Sequence, residues 1–382
     1  MRRVRQSERG APMLVAVETS AALFSPHVAD AEAAAARLEA ALDGAPLAVI
    51  VALDRALRDR GLHRACGCDF ADIDVRDLDR LDRLAPRRRR LALVVATCMR
   101  SGFIRAAALE RLAAEFDPLC AAAALVRLTD FVRVIADDAR RILEAQLRPS
   151  AASILARTLP LCARLGERWR ASPIFAAIPE LLRQPSPLCE RALWEAARDD
   201  HEPGLTRAAC RLLARRFAGE PALREVYSLA LAASAPRTRR WAAEAIVAPR
   251  QTPAATRRPF LDALARDPAP AIRLLAVTAW AREDDGEARL LALAFDGHAE
   301  VRHRARVYLA RRGAAVDYRA RALATLRDAA AATPATIGAL ATLSDFGRGG
   351  DLPRVRAFAS DPRPRIAAEA RRTAAILDAA AS

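Results

Sequence analysis

The sequence predicts an all-α protein, an α-solenoid in which antiparallel helix pairs stack into a superhelix. Three observations carry that expectation. Hydrophobic residues make up 53% of the chain but aromatics only 5%, so the apolar content is chiefly Ala, Leu and Val, residues that let helices approach closely. Glycine is limited to 15 residues and β-branched runs are rare, which argues against a large sheet. A capped helical motif also recurs along most of the chain, and a period of 20–50 residues is the mark of a repeat array. At 382 residues the chain is long enough for such an array, whose core grows with every added unit.

The motif is visible in SAPRTRRWAAEAIV from Ser234, DPAPAIRLLAVTAW from Asp267, DGHAEVRHRARVYL from Asp296 and DPRPRIAAEARRTA from Asp361. Each opens on a residue whose side-chain oxygen can accept from free helix-terminal N–H groups. Pro or Gly follows closely, ending the preceding helix. A small residue stands nine positions after the start, at Ala243, Ala276, Ala305 and Ala370. Arg240, Arg273 and Arg302 stand at the sixth position, and the register extends back to Arg207 with Cys210 and to Arg105 with Ala108. Successive arginines are 33, 33 and 29 residues apart, and a degenerate unit near TPATIGALATL fills the longer gap before Asp361. Ala136 and Ala367 stand where the arginine is expected. Ile272, Leu275, Ala276 and Ala279 recur at helical spacing and define one buried stripe. A second amphipathic stretch precedes each capped segment, as in EARLLALAF and RRPFLDALA, giving two helices per unit.

This pattern resembles the HEAT-repeat superfamily, in particular the short bacterial HEAT-like repeats of the phycobilisome-lyase type. The resemblance covers roughly residues 90 to 382. It implies stacked helix pairs and, since proteins of this fold are mostly scaffolds and adaptors, a role in holding another macromolecule.

Three regions follow. Residues 1–12 read as a disordered basic N-terminus, residues 13–90 as a divergent helical cap and residues 91–382 as the HEAT-like repeat array. Within the cap, VADAEAAAARLEAALDG and LAVIVALDRALRDRG read as a helical hairpin broken at Gly44 to Pro46. The first residues loosely mimic an export signal, but Glu18 interrupts the apolar stretch, and no run reaches the roughly 18 apolar residues of a membrane span. A cytoplasmic protein without membrane contact is the expectation. Cys98, Cys120, Cys162, Cys189 and Cys210 stand singly among Ala and Leu and read as small buried hydrophobes.

Catalytic and metal chemistry find little support. His63, Cys66, Cys68 and Asp69 in HRACGCD are zinc-type ligands, yet the Cys-x-Cys gap is tighter than zinc sites use and no second pair follows. A surface loop with incidental cysteines is the expectation there. The aspartates from Asp69 to Asp82 lack the order of a calcium loop and, beside Leu78, Leu81 and Leu84, read as a solvated helix face. The five histidines are scattered over loops and caps, and no nucleophile elbow or phosphate loop is present. No enzyme activity, cofactor or small-molecule substrate is inferred.

The formal charge of +15 points toward polyanions, although all 61 basic residues are Arg, a bias typical of GC-rich coding sequence. Arg239, Arg240, Arg273, Arg302, Arg304, Arg306, Arg371 and Arg372 lie on the second helices, which line the concave face of a HEAT-like stack. There they either form a basic track for phosphates or fasten one repeat to the next. The second reading is favoured for Arg240, Arg273 and Arg302. Trp241 and Trp280 could stack on bases as in HEAT-like DNA glycosylases, but core packing is the simpler expectation. PRRRR at Pro86 to Arg90 reads as a solvated charge run. A scaffold binding another protein is thus the expected function, and a nucleic-acid-binding solenoid using an Arg-rich concave face is the alternative.

Overall fold

A computed structural model describes residue 15 and residues 18–58, 73–167, 172–248, 254–328 and 330–381. These are all-helical, with no strand, and helices pack neighbour on neighbour as in a solenoid. Residues 1–12 lie outside the described residues, as do His63, Cys66, Cys68 and Asp69. Among the described residues no helix is long and apolar enough to cross a membrane. The chain divides into two compact units, Met1–Ser234 and Ala235–Ser382.

In the first unit the Val28–Leu42 and Val49–Ala56 helices are separated at Gly44, whose φ of 66° lies in the left-handed region glycine tolerates best. The aspartate-rich stretch forms a 3-10 helix, Val75–Arg83, that turns Leu78 and Leu81 inward. The Pro86–Thr97 helix then begins the regular packing. Its four opening arginines are not a free charge run. Arg87 pairs with Glu39 and Asp43, Arg88 with Glu32 and Glu39, and Arg90 with Glu115 and Asp117, while Arg89 lies 3.7 Å from Asp82. From Thr97 onward the Gly102–Ala113, Pro118–Arg127, Arg133–Glu144, Pro187–Ala197 and Pro203–Arg216 helices each pack on their neighbours. Cys98, Cys120, Cys162, Cys189 and Cys210 are all buried free thiols.

In the second unit, helices that carry the repeated motif alternate with intervening ones. The Pro236–Val247, Pro270–Trp280, Ala299–Arg311, Thr333–Phe346 and Pro364–Ala381 helices carry the repeated motif. The Ala254–Ala265, Glu287–Leu293, Tyr318–Thr325 and Leu352–Ala357 helices intervene. Proline opens several of the motif helices because the first helical position needs no backbone donor and proline's fixed φ suits it. Ala243, Ala276, Ala305 and Ala370, the small residues of the repeat, are each fully buried where helices meet. Backbone approaches closely at Gly338: a methyl group there would run into the backbone carbonyl of Phe295. The unit closes on a core that includes Leu340, Leu343, Val355, Ile366 and Leu377.

Candidate functional site

The repeated arginine stands at the fourth residue of its helix, and that position decides what it can reach. Long side chains on a helix lean toward its N-terminus. Arg273, fourth in the Pro270–Trp280 helix, therefore folds back so that Nη1 donates to the carbonyls of Asp267 (2.8 Å) and Pro268 (3.1 Å). Its other edge makes a bidentate pair with Asp296, at 2.6 and 2.8 Å. Asp296 opens the next unit and in turn accepts from the His298 backbone N–H at 2.7 Å. One planar guanidinium thus holds its own turn and the cap of the following repeat, a fork that lysine could not reproduce.

Arg302 repeats the design. It donates to the carbonyls of Asp296 and Gly297 and reaches Asp345 with both remaining nitrogens. Its acid comes from the far end of the Thr333–Phe346 helix because Ala330 stands where a capping aspartate would be. Arg306 joins the same carboxylate at 2.7 Å, bonds Thr342 and lies over the rings of Tyr318 and Phe346. Burial alone would push the Asp345 carboxyl up, but hydrogen bonds from Arg302 and Arg306 outweigh it and hold the group below its ordinary value.

At the first repeat of the unit the register differs from the sequence alignment by one residue. Arg239, not Arg240, is fourth in the Pro236–Val247 helix, and Arg239 makes the bidentate pair with Asp267. Arg240 is exposed and pairs with Glu244 on its own helix. Where arginine is absent from the fourth position, threonine substitutes in part at two helices, whereas Ala136 and Ala367 offer no side-chain donor. Thr206 bonds the Asp199 carbonyl and Thr336 the Ala332 carbonyl, which closes the turn without tying it to a neighbour.

The remaining candidates of the sequence also find partners. Arg304 lies 4.0 Å from Glu300, Arg372 pairs with Glu369, and Arg371 donates to the Ala367 carbonyl. Trp280 is 3% exposed and is a core residue, and Trp241 is half-buried. The structure therefore does not gather these side chains into one free basic track. No group of three or more metal-ligating side chains occurs among the described residues.

What the second unit does form is a groove of about 1270 Å³. It opens on the intervening helices and at the N-terminal ends of the motif helices. Ala288, Leu291, Ala292, Phe295, Ala324 and Ile337 contribute its apolar surface. Five arginines and three aspartates also line it. The aspartates are all engaged: Asp262 by Arg289, Asp267 by Arg239 and Asp296 by Arg273. Arg273 and Arg289 are neutralised by the same pairings. Arg266, Arg321 and Arg365 are left exposed at the groove with no carboxylate.

Sequence reasoning misses these three for a definite reason. Each has an acid four residues before it, Asp262, Asp317 and Asp361, and so reads as half of an ordinary helical ion pair. Each of those acids is occupied elsewhere. Arg289 holds Asp262, the Ala320 N–H holds Asp317 as a helix cap, and Arg363 holds Asp361 through both carboxylate oxygens. Only the folded arrangement frees the three cations. No protein-family model matches the chain, and no curated protein or solved structure was found similar to it.

Proposed function

We propose that this chain is a non-catalytic HEAT-like α-solenoid, its antiparallel helix pairs stacked into a superhelix, which works in the cytoplasm as a scaffold or adaptor holding another protein. The observation that carries this reading is the use of the repeated arginines. Those that a basic track would need, Arg239, Arg273, Arg302 and Arg306, are committed to aspartates inside the unit. A nucleic-acid binder spends such groups on phosphates. Stacked helices with an apolar groove suit the recognition of a protein segment.

The alternative, a nucleic-acid-binding solenoid, draws on the charge of residues 235–382, where 25 arginines face 16 acids for a net of +9. Two measurements separate the readings. The scaffold predicts weak binding to random-sequence duplex DNA and RNA at near-physiological salt, together with a discrete protein recovered from host lysate by the tagged full chain. Tight binding to duplex with a steep loss between low and moderate salt would establish the alternative.

A further inference from the structure

The groove in the second unit has two chemically distinct parts, and their combination narrows what it can hold. One part is apolar, contributed by Leu291, Ala292, Ala324, Ile337 and Phe295. The groove's lining also includes the exposed Arg266, Arg321 and Arg365, with which no carboxylate pairs among the described residues. Guanidinium groups without an internal acceptor, gathered beside an apolar surface, are positions at which an external carboxylate or phosphate gains.

We propose that this groove binds an extended acidic segment of the partner protein, one in which acidic and aliphatic side chains alternate. The proposal rests on the scaffold reading above. An extended chain directs successive side chains to opposite sides, so one set of residues can meet the apolar lining while the other meets the arginines. The volume of about 1270 Å³ exceeds the range typical of a small-molecule pocket and suits several residues of such a chain. Charge complementarity selects an acidic segment over a basic or neutral one. The aliphatic lining selects a peptide over a nucleic-acid strand, because base recognition draws on exposed aromatic faces. The only aromatic lining residue, Phe295, is half-buried and packs against Tyr318.

The test uses the full chain and fluorescein-labelled probes read by anisotropy: a short peptide of alternating Glu and Leu, the same peptide with Gln in place of Glu, and oligothymidylate. The variants are Arg266→Glu, Arg321→Glu and Arg365→Glu combined, the same three positions changed to Gln, and Arg237→Glu as an exposed charge reversal outside the groove. All four side chains are exposed, and thermal melts verify that the fold is kept. The acidic peptide is expected to bind the wild type about tenfold or more tightly than its Gln counterpart, a preference that added salt weakens. The Gln triple variant reduces that preference, the Glu triple variant abolishes it, and Arg237→Glu leaves it unchanged. Equal affinity for both peptides, no detectable binding, or equal binding by the wild type and the Glu triple variant overturns the proposal. So does tighter binding of oligothymidylate that the triple variant loses. Recovery of the same host partner by wild type and Glu triple variant overturns the groove while leaving the scaffold reading intact. Loss of that partner in the triple variant alone supports both.

Discussion

The two units set the same arginine–aspartate fork in different surroundings. In the first, the fork's acid also serves two further arginines in a buried node, beside more exposed pairs such as those of Arg87 and Arg88. Asp130 accepts from Arg105 at 2.9 and 3.0 Å, from Arg127 at 2.8 Å and from Arg58 at 3.2 Å, while also capping Val132. Asp54 serves Arg58 and Arg127 from the other side, and the ring of Phe131 lies against both Arg58 and Arg105. In the second, charges are spread along a ladder, one arginine fork per step, at Arg239–Asp267, Arg273–Asp296 and Arg302–Asp345. A node fails all at once. A ladder loses one rung, and because each rung is satisfied locally, cations outside it are free to meet a partner.

The sharpest way to break this contrast is Asp130→Asn. Arg58 and Arg127 then share Asp54 while buried Arg105 loses its carboxylate partner, and leaving a buried charge uncompensated costs about 3–5 kcal/mol. Urea denaturation would read it, and a loss no larger than that of a ladder variant would erase the distinction between node and ladder. Next comes Gly338→Ala, which forces the Thr333–Phe346 helix away from the Phe295 carbonyl and is expected to destabilise by about 1–3 kcal/mol, as overpacking does. Asp296→Asn removes one partly exposed rung and weakens one cap, with an expected loss of about 1–2 kcal/mol. The smallest effect sharpens the register: Arg239→Gln is expected to cost about 1 kcal/mol, whereas Arg240→Gln, at an exposed pair, stays within about 0.5 kcal/mol.

Acid titration offers a further contrast. Burial alone would raise the Asp130 carboxyl, but the Val132 amide and the charges of Arg127 and Arg105 outweigh it and hold the group below its usual value. A carboxylate depressed in the folded state stabilises above its unfolded value of about 4, and that contribution is lost as pH falls from there toward the folded value. Stability is therefore expected to decline below about pH 4, with a shallower decline in Asp130→Asn because that group no longer titrates. The thiols behave oppositely. Burial pushes Cys98, Cys120, Cys162 and Cys210 up to about 12, so iodoacetamide is expected to modify them only after unfolding, as peptide mapping would show.

Much of the helical pattern is legible in the sequence, because capping residues, opening prolines and buried small residues act locally. The slip from Arg239 to Arg240 shows where locality misleads. Ser234 followed by Ala-Pro imitates Asp267 followed by Pro, yet the residue that sets the register is the first of the helix, Pro236 or Pro270. The groove was not legible at all. Whether Arg266, Arg321 and Arg365 are neutralised depends on which competitor has already taken Asp262, Asp317 and Asp361: distant Arg289 for the first, the nearby Ala320 N–H and Arg363 for the others.

Photo-crosslinking in the native host tests the central claim most directly. p-Benzoylphenylalanine would be placed at the exposed groove residues Ala292 and Ala324 and, for contrast, at Arg240. A discrete protein adduct from the two groove positions, absent from position 240, is the predicted result. A nucleic-acid adduct, or a protein adduct formed at position 240 but not in the groove, would contradict it.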